Sequence, residues 1–110
     1  MSDPVAELMA RLRQEYLAEV PDRLEQLRLA AGAFQRAEPA DPPLATLFHR
    51  MAGSAGAYGF GPVTALCRGM EQWLATGPPR DNATMARIEQ AIRAIASAFE
   101  EGPTSEGIAD

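Results

Sequence analysis

The sequence predicts an all-α fold, an antiparallel up-and-down four-helix bundle with an extra N-terminal helix, and three observations carry that prediction. Apolar residues recur at three- and four-residue steps in every long segment. Helix starts and stops bound those segments: Asp3-Pro4, Asp41-Pro42 and Gly61-Pro62 read as entries, and Gly77-Pro78-Pro79 as a stop, with Asp81 or Asn82 capping the last helix. No run alternates apolar and polar residues with β-branched enrichment, so nothing supports a sheet.

In chain order, segment 4–37 places Val5, Leu8, Leu12, Tyr16, Val20, Leu24, Leu27, Ala31 and Phe34 on one stripe. Pro21 removes a backbone donor and pushes the residue before it out of the helical region, which predicts two nearly coaxial helices, 4–19 and 21–37. The linker 38-EPADPP-43 leads to a helix over 43–58. The next, over 62–76, carries Val63, Leu66, Cys67, Met70, Trp73 and Leu74. The last, over 82–101, carries Met85, Ile88, Ile92, Ile95 and Phe99. Short links between the last three predict antiparallel neighbours. Residues 1–101 therefore read as one domain, and 102-GPTSEGIAD-110 as a loose tail.

Composition narrows the function. The 110 residues are 46% apolar and 23% charged, enough hydrophobe for a packed core and too much for disorder. Net charge is −5 and every basic residue is arginine, with no basic run clear of acidic neighbours, which argues against nucleic-acid binding. One cysteine and one histidine cannot build the common zinc sites, and Cys67 cannot form an internal disulfide. The start, MSDPVAELM, has no leader-like apolar run and no segment has the length of a membrane helix, so a cytoplasmic chain without membrane contact is expected.

The chemically suggestive stretch is 49-HRMAGSAGAYGFG-61, in which the single histidine precedes four glycines. Glycine costs a helix interior about 0.5–1 kcal/mol relative to alanine, so its use there asks for a reason. With His49 at zero on a helical wheel, Leu44, Leu47, Met51, Ala55 and Tyr58 fall at roughly 160–240° and form the core stripe, with Phe48 just outside it. Ala45, Ala52, Gly53 and Gly56, all small, fall within about 60° of His49. The pattern describes an outward imidazole in a clearing that another surface could approach closely. Gly59 and Gly61 read as the helix end and the adjoining turn.

Those residues resemble the signature of histidine-containing phosphotransfer (HPt) domains, the phosphoryl carriers of two-component phosphorelays. The family pattern is a His, two variable residues, usually a Lys, then Gly, two small residues, and a hydrophobe with Gly shortly after. Here it reads His49, Arg50-Met51, Ala52, Gly53, Ser54-Ala55 and then Tyr58-Gly59. Downstream, 66-LCRGMEQWL-74 resembles the family's next helix, with its Leu-Cys pair and apolar-Glu pair, and 17-LAEVPDRLEQL-27 resembles the helix before the linker. The likeness covers about residues 10–100. Ala52 departs from it, standing where the family usually has a lysine beside the phosphohistidine.

The resemblance implies that His49 is phosphorylated, and that Arg50, Ala52, Gly53 and Gly56 form the surface a partner meets. It also implies the partners: a response-regulator receiver domain, a hybrid sensor kinase, or both. Neutral imidazole is a competent nucleophile near neutral pH, and phosphoryl transfer needs positioning and charge stabilisation rather than elaborate covalent machinery. No cofactor is expected on this chain, Mg²⁺ being supplied by the receiver. Autokinase activity is not expected, because no phosphate-cradling glycine loop joins a strand to a helix and no acidic metal cluster is present. Ser54 lies about 140° from His49, too far round for hydrolase chemistry. Cys67 sits on an apolar stripe and reads as packed rather than reactive. An alternative keeps the fold but not the chemistry: an adaptor that binds receiver or kinase domains without carrying phosphate.

Overall fold

A computed structural model describes residues 3–104, which form four helices and no strand: α1 (Pro4–Gln35), α2 (Leu44–Ala57), α3 (Gly61–Leu74) and α4 (Asn82–Glu101). Each packs against its sequence neighbour and α4 closes the ring against α1. The pairings are antiparallel throughout. His49 of α2 meets Glu71 of α3 while Ala52 meets Thr64. Tyr16 of α1 meets Ser54, while Arg23 and Leu27 share a depression with Met51 and Leu47. The Tyr16 ring also lies 6.0 Å from that of Phe99, tilted against it, and Ala31 lines a groove with Met85. Arg87 lies over the Trp73 ring, and Phe60 meets Phe99 edge-on at 5.1 Å.

The core contains Tyr16, Val20, Leu24 and Leu27 from α1, Phe48, Met51 and Ala55 from α2, Val63, Cys67 and Met70 from α3, and Ile88, Ile92, Ile95 and Phe99 from α4. Phe60, fully buried between α2 and α3, anchors their short connection, in which Gly59 adopts φ +88°. That left-handed value is where glycine is needed. Burial pushes the Cys67 thiol up to about 12, with the Glu71 carboxylate adding to the shift, as suits a packed residue.

Four expectations need correction. The two N-terminal helices are one, since α1 runs unbroken through Pro21. Pro21 is exposed, so water can satisfy the carbonyl that the ring leaves without a donor, while buried Tyr16, Val20, Leu24 and Leu27 hold both halves on one line. The stripe of α1 is also longer than its burial. A 32-residue helix is about 48 Å long against about 21 Å for α2 or α3, so Val5 and Leu8 extend past the core and stay exposed. Asp41 does not cap α2, whose N-cap is Pro43 with no side-chain bond. By contrast Asp3 accepts from Val5 N–H at 3.0 Å and Asp81 from Thr84 N–H at 2.9 Å, as expected of caps. Finally, the part of the expected loose tail that is described is tied down: Thr104 N–H donates to Gly59 C=O at 2.8 Å. Residues 105–110 lie outside the described residues.

Candidate functional site: an exposed imidazole against a carboxylate

His49 stands in the middle of α2 and its side chain is 71% exposed. The helix faces explain why. α3 covers one side of α2, through Phe48, Ala52 and Ala55, and α1 covers the other, through Leu47 and Met51. The sector between them, holding Thr46, His49 and Gly53, faces solvent, and a Cβ built on Gly53 would meet no atom within 4 Å. The clearing is real at this glycine.

The other small residues serve a different purpose. Ala52, expected on the outward face, is buried, with 3% of its surface exposed. A Cβ on Gly56 would stand 3.0 Å from Thr64 Oγ1, and the Thr64 hydroxyl donates to Ala52 C=O at 2.8 Å. Ala52 is thus a packing residue, and Gly56, although exposed, lies beside Thr64 where α3 approaches α2 closely. The wheel was right about angle, but it could not show that the neighbouring helix sits so near the imidazole.

Arg50 also changes place. It lines two depressions on the α1 side, one with Gln26, Leu29 and Leu47 and the other with Arg23, Leu27 and Met51. That is the side of α2 turned away from α3. Ser54 is engaged elsewhere, sharing a 2.8 Å hydrogen bond with the Tyr16 hydroxyl. Burial raises the Tyr16 phenol above its ordinary value, against the lowering effect of Ser54.

Sequence reasoning missed Glu71 as a site residue. Its carboxylate oxygens lie 3.0 and 3.2 Å from His49 Nδ1. An ionised carboxylate only accepts, so Nδ1 is the donor in this pair, and in the neutral ring that leaves the lone pair on Nε2. His49 and Glu71 line one shallow open depression with Ala45 and Thr46. The signal was present as Thr64, Arg68 and Glu71, polar residues at four- and three-residue spacing on one face of α3. Read alone, that spacing does not say that α2 lies opposite. No group of three or more His, Cys, Asp or Glu side chains able to hold a metal ion occurs among the described residues. Nor is any helix among them long and apolar enough to cross a membrane.

Fold and site together define a helical bundle that displays one oriented imidazole on an open face. Residues 11–100 match the family model of the Hpt domain. The chain belongs to the Hpt-domain family, and so to the phosphotransfer-type modules of two-component signalling. No curated protein and no solved structure gives a significant match.

Proposed function

We propose that this chain is a cytoplasmic phosphorelay intermediate that takes a phosphoryl group on His49 Nε2 and passes it to a response regulator. The single observation that carries the reading is the His49–Glu71 hydrogen bond on an otherwise open face. Glu71 keeps the proton on Nδ1, which leaves Nε2 as the nucleophile pointing away from its anchor. The donor is the aspartyl phosphate of a receiver domain, or a hybrid sensor kinase. With a receiver, the acyl O–P bond breaks as the Nε2–P bond forms, and the aspartate leaves as a carboxylate. The ring becomes a cation whose Nδ1 proton stays against Glu71, and the reverse step delivers the group to the next receiver. This chain contributes the positioned nucleophile and a face open enough for in-line approach. Mg²⁺ belongs to the receiver.

The test is incubation with a phosphorylated receiver domain, followed by separation and a search for acid-labile, alkali-stable label. Label is expected on the wild type and not on His49→Gln, with both proteins melting alike, because an exposed side chain adds little to the core. Label surviving in His49→Gln would contradict the reading. Tight receiver binding with no label would favour the adaptor alternative, to which the absence of a cation at Ala52 lends weight.

A further inference from the structure

The site as described lacks a positive charge. A phosphoryl group on Nε2 brings about two negative charges, and Glu71 already places another on the far side of the same ring. Arriving phosphate therefore meets like charge unless a cation stands on the open face. Only two arginines lie within one turn of the imidazole along α2 and along the α3 face opposite: Arg50 and Arg68. Arg50 lines the depressions toward α1, on the side of α2 away from α3.

Arg68 is different. The antiparallel register of α2 and α3 is set by two contacts, Gly56 and Ala52 with Thr64 at one end and His49 with Glu71 at the other. Arg68 lies between them on the same face of α3, one turn from Thr64 and one turn from Glu71. That puts its backbone opposite Ala52 and Gly53, beside the cleared sector. Arg68 is exposed. Although three residues from Glu71, it forms no ion pair with that carboxylate, whose oxygens face His49, and it makes no other ion pair, side-chain hydrogen bond or aromatic stack among the described residues. A guanidinium without a partner, carried by the neighbouring helix beside the cleared sector, matches the chemistry of phosphoryl oxygens.

Building on the carrier reading of His49, we infer that Arg68 binds the phosphoryl oxygens at this site, so that α3 supplies the positive charge that α2 lacks at Ala52. The close α2–α3 approach allowed by Ala52 and Gly56 is what brings a side chain from α3 within range.

The test uses phosphoramidate, a small donor that removes partner docking from the comparison. Its P–N bond breaks as the Nε2–P bond forms and neutral ammonia leaves. The positive charge of its ammonium passes to the ring, whose Nδ1 proton stays with Glu71. Labelling rates are measured for wild type, Arg68→Gln, Arg68→Lys and Arg50→Ala at low and high salt, with a receiver domain as a second donor. Arg68→Gln is expected to slow labelling by about three- to ten-fold from either donor, a range set by an exposed charge-assisted contact. Arg68→Lys should recover part of the rate, Arg50→Ala should match wild type with phosphoramidate, where no partner docks, and salt should narrow the difference between Arg68→Gln and wild type. An Arg68→Gln rate equal to wild type with phosphoramidate overturns the inference, and slowing with the receiver alone makes Arg68 a docking residue instead. A wild type that takes no label from either donor removes the carrier reading and this inference with it, an outcome distinct from the other two.

Discussion

Replacing Gly53 and Gly56 separately by alanine distinguishes the two purposes that small residues serve around His49. In a helix interior the exchange is worth about 0.5–1 kcal/mol in favour of alanine. A Cβ at Gly53 meets nothing within 4 Å, so the whole gain should appear. For a domain of this size about 4 °C accompanies each kcal/mol, giving a rise of about 2–4 °C in Tm. At Gly56 the new methyl would stand 3.0 Å from Thr64 Oγ1, a hydroxyl held at 2.8 Å by Ala52 C=O. Thr64 must give way, and weakening that hydrogen bond costs about 1 kcal/mol, which cancels or slightly exceeds the helix gain. Gly56→Ala should therefore leave Tm unchanged or lower it. In a Thr64→Ala background the obstruction is gone, and the same substitution should then be stabilising. Thermal melts of the wild type and these four variants measure this, and phosphoryl transfer is assayed on the same samples. Gly53→Leu should keep its Tm yet transfer slowly, because a side chain one turn from His49 would fill the open sector. A Gly56→Ala protein as stabilised as Gly53→Ala with Thr64 intact would refute the packing argument. A Gly53→Leu protein that transfers at the wild-type rate would refute the clearing.

Glu71→Ala should slow labelling of His49 by about three- to ten-fold, with Glu71→Gln closer to wild type because its amide oxygen can still accept from Nδ1–H; labelling kinetics from a phosphorylated receiver measure both. Cys67, whose thiol is pushed up to about 12 by burial, should resist a thiol reagent at neutral pH until the protein unfolds. Because the folded protein favours its protonated form, Cys67 supports stability below the ordinary thiol range, and that support is lost as pH rises through the folded value. The Thr84 backbone and side-chain hydrogen bonds hold the Asp81 carboxyl below its ordinary value. Its folded value is depressed, so its contribution is present above the ordinary carboxylate range and fades as pH falls through the lowered one. Asp81→Ala should thus lower Tm at neutral pH, with the gap to wild type closing in acid.

What the sequence made legible, and what it hid, divides by the range of the forces involved. Caps at Asp3 and Asp81 and the periodic stripes of α2, α3 and α4 are local, and they appear where the pattern put them. Pro21 is also a local signal, but a break there is overridden by burial on both sides of an exposed ring. The outward direction of His49 was written in α2 alone. Its anchor was not, because Glu71 is 22 residues away and meets it only through the packing of α3 on α2. Ala52 shows the same limit: a wheel counts it as outward, whereas the proximity of α3 buries it, while Gly56 stays exposed beside Thr64. Helix angle is set by a few neighbouring residues, whereas the identity of the opposing face comes from tertiary packing.

The most direct measurement of the central claim is a long-range proton–nitrogen NMR correlation of the phosphorylated, nitrogen-15-labelled protein. With one histidine in the sequence, a single imidazole pattern identifies the residue, and coupling to phosphorus identifies the atom. Glu71 holds Nδ1, so phosphorus is expected on Nε2 with a proton retained on Nδ1. Phosphorus on Nδ1, or no phosphorus on the ring after exposure to a phosphorylated receiver, would contradict it.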